Sequence, residues 1–298
     1  MKPLMERIAA GERLLGDGAM GTMLMARGLK TGACPERWNL EHPETLEEIA
    51  RLYLEAGADI IETNTFGGSP LKLSQYHLAD QADEINRAAV ESVRKAVGDR
   101  AYISGSVGPS GQMLQPYGDV TPDEMTDAFE RQTRALVEAG VDVLCIETMT
   151  DLGEARLAIE AARRNGPDIH IIATMTFDRT PNGFYTVMGA TVEQAVAGLH
   201  ASGADIVGSN CGNGIDNMVA LAVEFRRHTD RPLMIQSNAG LPALVDGDVR
   251  YGESPEFMAE RVGRLLDLGV NIVGGCCGTT PEHIAAFRTV IDAFNERN

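Results

Sequence analysis

Asn271-Ile272-Val273-Gly274-Gly275-Cys276-Cys277-Gly278-Thr279-Thr280-Pro281 is the stretch on which the fold can be read. An apolar run gives way to glycines and two cysteines, then to a proline placed to open a helix. Glycines on both sides permit sharp left-handed turns and leave the sulfurs uncrowded. Adjacent cysteines seldom bond to each other, because the geometry is strained. The pair therefore reads as two ligands for one soft ion, and a four-coordinate site needs more than two.

The same grammar recurs upstream. Leu14-Leu15 leads into Gly16-Asp17-Gly18-Ala19, and Asp59-Ile60-Ile61 into Glu62-Thr63-Asn64. Residues 101–103 lead into Ser104-Gly105-Ser106, residues 141–146 into Glu147-Thr148, and residues 170–173 into Thr174-Met175. Asp205-Ile206-Val207 leads into Gly208-Ser209-Asn210-Cys211, and Leu233-Met234-Ile235 into Gln236-Ser237-Asn238. Between these runs, apolar residues at three- and four-residue spacing predict helices over 46–56, 83–97, 122–139, 151–164, 192–201, 218–227, 255–268 and 281–294. Thr121-Pro122, Ser254-Pro255 and Thr280-Pro281 are N-cap residues before a first-turn proline. Gly57, Gly140, Gly203 and Gly269 stand where helices should end.

Eight strand–helix units predict a single (β/α)₈ TIM barrel over residues 1–298, an α/β fold in one domain with no linker-like segment. A doubly wound open sheet has no natural use for eight regular repeats. Each strand reads apolar first and polar, Gly or Cys last, and in a barrel those last positions meet at one mouth. Segments 31–43, 110–120, 177–191 and 238–253 are expected to cover that mouth.

Composition narrows the function. Of 298 residues, 44% are hydrophobic and 23% charged, and 26 basic against 43 acidic residues give a net charge of -17. That balance argues against nucleic acid or an anionic membrane surface as partner. No run approaches the roughly 18 apolar residues of a membrane span, and the first residues do not read as a signal peptide. Five cysteines in a chain of this length need not be structural staples, so a reducing cytoplasm is the expected setting.

The barrel gives the cysteines their meaning. Cys211 ends strand six, and Cys276 and Cys277 end strand eight, with only strand seven between. Three thiolates on one rim suit zinc and leave a fourth position open, the arrangement of a catalytic site. Bound zinc would lower the pKa of an incoming thiol. Cys145 lies inside an apolar run and reads as core, and Cys34 as a non-catalytic loop residue. Trp38 reads as a packing anchor. No His pairs with a Cys at ligand spacing; His200, His228 and His283 fall on helices.

Asn210-Cys211, Gly274-Gly275-Cys276-Cys277-Gly278 and Asp17-Gly18-Ala19-Met20-Gly21-Thr22 together resemble the zinc-dependent homocysteine S-methyltransferase family. Cys34-Pro35-Glu36-Arg37-Trp38-Asn39 and the stretch from Gly57 through Glu62-Thr63-Asn64-Thr65-Phe66-Gly67 are most similar to the homocysteine-binding domain of cobalamin-dependent methionine synthase. The resemblance covers nearly the whole chain. It implies methylation of homocysteine to methionine, with Cys211, Cys276 and Cys277 as zinc ligands. It also implies that Asp17, Gly18 and Ala19 receive the amino-acid end of homocysteine and that Glu147 pairs with its ammonium group. Asn64, Ser106 and Asn210 match polar positions near the substrate. Full synthases of this kind carry folate, cobalamin and activation domains after this one, whereas this sequence stops at Asn298. The expected methyl donor is therefore a methyl-corrinoid protein acting in trans, with S-methylmethionine, a quaternary amine or a different acceptor thiol as alternatives. A redox or metal-storing dithiol protein is the reading from another class, and a silent barrel that docks a corrinoid protein is a third.

Overall fold

The computed structural model describes residues 1–245 and 248–297. Eight parallel strands form one sheet: β1 (Leu14–Leu15), β2 (Ile60–Glu62), β3 (Tyr102–Val107), β4 (Val143–Met149), β5 (His170–Met175), β6 (Ile206–Asn210), β7 (Leu233–Ser237) and β8 (Ile272–Gly275). Each pairs with its neighbours in sequence, and β1 also pairs with β8. A bridge between Gly16 and Ile60 joins the first two strands, so the sheet closes on itself. Asp59 fastens the seam: its amide donates to Leu15 O at 2.7 Å and its Oδ2 accepts from Leu15 N at 2.9 Å. The result is the expected (β/α)₈ barrel.

The helices fall where the apolar spacing put them, among them Pro43–Glu55, Pro122–Ala139, Val192–Ala201 and Pro281–Asn295. Thr121 and Glu124 form a reciprocal cap, and Ser254 accepts from Phe257 N. Gly140 ends its helix in the left-handed conformation, at φ 90°. The strands run further than their apolar runs. Ser104 and Ser106 lie within β3, and Glu147 within β4. A barrel strand can carry polar residues where it faces the mouth rather than the packed interior.

The strand period of two then fixes what faces inward. Leu14, Ile60, Tyr102, Val143, Cys145, Ile172, Ile206, Met234 and Ile272 form one apolar cluster inside the barrel. Leu4 and Ile8 belong to it, from a short helix Leu4–Ala9 that plugs the lower end. That helix is absent from the periodicity reading, because one turn and a half with two buried apolar residues is too short a signal. Cys145 is fully buried here, as core. Counting two residues on from Ile60, Cys145 and Met234 reaches Glu62, Glu147 and Gln236 on the same inner face.

The mouth-side segments carry local structure. Segment 31–43 holds a 3₁₀ turn Pro35–Arg37 and the short helix Trp38–Glu41. Segment 177–191 holds a hairpin, Asp178–Thr180 with Gly183–Tyr185. Segment 238–253 holds another, Ala243–Val245 with Asp248–Arg250, and its residues 246–247 lie outside the described residues. Trp38 packs against the main core, with its ring 4.6 Å from that of His42. Among the described residues no helix is long and apolar enough to cross a membrane.

Candidate metal and substrate site

Cys211 follows β6 in a left-handed conformation, φ 61°, and Gly212 continues it at φ 73°. Side chains rarely hold that geometry without support. Support comes from Cys211 N donating to Gln236 O at 3.1 Å and Asn213 N donating to Cys211 O at 2.8 Å. Cys276 N donates to Ser237 O at 2.7 Å, and Thr279 Oγ1 donates to Cys276 O at 2.7 Å. Thr279 fits against β8 because Gly275 lacks a side chain; a Cβ there would meet Thr279 Oγ1 at 2.2 Å.

These backbone anchors bring three free thiols together. The sulfurs of Cys211, Cys276 and Cys277 lie within 4.8 Å of one another, and Cys211 Sγ is 3.8 Å from Cys277 Sγ. Zinc–sulfur bonds of about 2.3 Å in a tetrahedron place sulfurs about 3.8 Å apart, so the donor set fits zinc. The charge balance agrees. Hydrogen bonds from Cys211 and Cys276 draw the Cys277 thiol down to about 3. Hydrogen bonds to Cys211 and Cys277, followed by burial, push the Cys276 thiol well above its ordinary range. A hydrogen bond from Cys276 favours the Cys211 thiolate, but donation to Cys277, burial and the charge of Cys277 outweigh it, and that thiol rises. One thiol is drawn down while the other two are pushed up, so holding all three as thiolates needs a cation.

Beneath the thiols lies a cavity of about 270 Å³. Its lining includes Gly18, Ala19, Met20, Glu62, Asn64, Ser106, Glu147, Thr148, Gln236, Tyr251 and all three cysteines. A register shift in β4 between Ile146 and Met149, with Thr148 left-handed at φ 58°, sets Glu147 at the mouth. Glu147 Oε1 accepts from Ser106 Oγ at 2.5 Å, and Oε2 accepts from Asn210 Nδ2 at 2.9 Å. Burial raises the Glu147 carboxyl, against hydrogen bonds from Ser106, Glu62 and Thr148.

Of the residues singled out from sequence, Gly18, Ala19, Asn64, Ser106, Glu147 and the three cysteines line the cavity. Asp17 and Asn210 stand behind its wall. Asp17 Oδ2 accepts from Glu62 N at 2.9 Å, its Oδ1 has no partner, and it is 1% exposed. Burial, helped by the charge of Glu147 and opposed by the Glu62 amide, pushes its carboxyl up to about 8. Asn210 is spent on bracing: its Oδ1 accepts from Thr148 N and Thr174 Oγ1, each at 2.8 Å, while its Nδ2 serves Glu147 and Thr148. Asn64 donates to Pro35 O and Asn39 Oδ1, both at 2.8 Å, tying the 31–43 segment to the rim. Cys34 is buried outside the site, donating to Glu36 Oε2 at 3.2 Å. His283 and His200 are hydrogen-bonded to backbone carbonyls, far from any metal role. Glu62, Gln236 and Tyr251 are cavity residues that motif reading did not single out; the inward count of two along β2 and β7 was the signal for the first two.

Fold and site together define a (β/α)₈ barrel with a rim of three thiols, a donor set that fits a thiophilic metal, beside buried carboxyl groups. The sequence model of the homocysteine S-methyltransferase family matches residues 14–291. The chain is 32% identical over 302 aligned residues to methionine synthase of Mycobacterium leprae (strain TN), covering 95% of this chain and 24% of that protein. It is 33% identical to methionine synthase of Mycobacterium tuberculosis (strain ATCC 25618 / H37Rv), covering 91% of this chain. It thus spans about a quarter of the length of these relatives. The metallated form of the homocysteine methyltransferase MmuM from Escherichia coli shares the fold, with TM-score 0.80 at 24% identity over 97% of this chain and 99% of that one. The chain belongs to the homocysteine S-methyltransferase family.

Proposed function

We propose that this chain is a zinc-dependent S-methyltransferase that converts homocysteine to methionine, with Cys211, Cys276 and Cys277 as the zinc ligands. The observation that carries the reading is the three-thiol cluster, its sulfurs within 4.8 Å of one another, in the lining of a cavity that also holds Glu62 and Glu147. Zinc held by these thiolates supplies the Lewis acidity that keeps an acceptor thiol deprotonated at neutral pH.

The chain's own residues do the positioning. Glu147, held by Ser106 and Asn210, receives the acceptor's ammonium group as a charge-assisted hydrogen bond. Asp17 braces Glu62 from behind, accepting from its amide. The carboxylate end goes to the turn at Gly18 and the helix start at Met20, since Ala19 N already donates to Thr279 Oγ1 at 3.2 Å. Asn64 fixes the rim that closes over the acceptor. Held in this way, the acceptor sulfur attacks the donor's methyl carbon in line. A sulfur–carbon bond forms as the donor–carbon bond breaks, and that bond's electron pair leaves with the donor. The donor is a methyl-corrinoid, a reading that rests on the resemblance to the cobalamin-dependent synthases. Residues 1–298 act as one homocysteine-binding domain, and three reduced thiols suit the cytoplasm.

The test is a donor panel with homocysteine, reading methionine formation from methylcobalamin, S-methylmethionine and betaine. Methylcobalamin as the best donor supports the full reading. Methionine from S-methylmethionine or betaine alone keeps the acceptor and replaces the donor. No methionine from any donor, with no thermal protection by homocysteine, refutes both.

A further inference from the structure

The cavity floor is short of donors. Glu62 and Glu147 both reach it, and no Lys, Arg or His stands among its described lining residues. Both oxygens of Glu147 already accept hydrogen bonds. Gln236 lines the same floor at 2% exposure; its Nε2 donates to Glu62 Oε1 at 3.5 Å, and its Oε1 has no partner. Asp17, one layer back, keeps an unpartnered Oδ1. The unfilled positions are therefore acceptors, gathered beside buried carboxyl groups. Buried acceptors and carboxylates of this kind are satisfied by a cation with several N–H groups, as an α-ammonium is.

We infer that Glu62, steadied by Gln236, is a further substrate-positioning residue that takes the ammonium group of the acceptor amino acid together with Glu147. This rests on the homocysteine reading above and adds the second arm of its ammonium subsite. Asp17 spends Oδ2 on the Glu62 amide and is not among the cavity-lining residues, so Glu62 is the acid that reaches the cavity beside Glu147. Burial, then the charges of Glu147 and Asp17, hold the Glu62 carboxyl well above the usual carboxylate range, so an arriving ammonium finds a group that gains by ionising beside it. The plainer role for Glu62 is a neutral carboxyl that fills the barrel and hydrogen-bonds Glu147. The two roles differ in whether the ligand's amine matters.

The experiment is calorimetric titration of the zinc-bearing wild type, Glu62→Gln and Gln236→Leu with homocysteine and with 4-sulfanylbutanoate, the same thiol acid without the amine. The expected result is homocysteine binding weakened about tenfold or more in Glu62→Gln and several-fold in Gln236→Leu, as for loss of a charge-assisted contact and of its support. Binding of 4-sulfanylbutanoate should change by less than about twofold in both. Equal weakening for the two thiols, or unchanged homocysteine affinity, overturns the inference. A wild type that binds both thiols equally overturns it while leaving the acceptor reading intact, and one that binds neither overturns both. If thermal melts show Glu62→Gln unfolded, Gln236→Leu decides by the same comparison.

Discussion

Asn210→Ala tests whether the site is held by the hydrogen-bond bracket behind Glu147. Asn210 is fully buried and makes four side-chain hydrogen bonds of 2.7–2.9 Å. The hydroxyls of Thr148 and Thr174 can rotate to new partners, but two groups cannot: one oxygen of Glu147 and the Thr148 amide. A buried polar group left without its partner costs about 1–3 kcal/mol, with charged groups at the upper end. The sum is about 4 kcal/mol. For a chain of this size that is a fall in Tm of roughly 6 °C. The assay is thermal unfolding followed by circular dichroism, together with the KM for homocysteine, which should rise as Glu147 loses its orientation. A double-mutant cycle with Glu147→Gln should be non-additive by about 1 kcal/mol or more, because the two side chains are in direct contact. A Tm within about 2 °C of wild type, or strict additivity in the cycle, would refute the bracket.

Two further outcomes follow from the same geometry. Asp17 carries a folded-state pKa of about 8 against an ordinary 3.8. The folded state therefore holds a proton that the unfolded state has lost between those values, and this contribution to stability is present below about pH 4 and lost as pH rises toward 8. Asp17→Asn should flatten that fall, so its urea midpoint gains on wild type between pH 5 and pH 8; parallel curves would contradict the assignment. Ile8→Ala, in the helix that plugs the lower end, should cost about 2–4 kcal/mol by urea denaturation while leaving homocysteine affinity unchanged. A loss of affinity there would mean that the plug and the mouth are coupled.

The architecture was legible because eight repeats share one grammar and because proline, Ser/Thr and glycine punctuate the helices. The three cysteines were legible for the same reason: strand ends of a barrel converge whatever their separation in sequence. Glu147 stood out as an acid at the end of an apolar strand. The supporting groups were harder to see. Glu62 and Gln236 meet only through the closure of the barrel, and each looks locally like an ordinary strand-end polar residue. Asn210 resembles a substrate contact in sequence, yet its neighbours Thr148 and Thr174 consume its bonding capacity, which depends on the β4 register shift. The plug helix was silent because its meaning lies in the hole it fills.

The central claim, that three cysteines from two strand ends hold one zinc ion, is tested most directly by zinc content of purified protein. Elemental analysis should give about one zinc per chain in the wild type, the stoichiometry of a single tetrahedral site. It should fall to near zero in each of Cys211→Ser, Cys276→Ser and Cys277→Ser, with thermal melts showing each variant folded. Full zinc retention in all three folded variants would contradict the account.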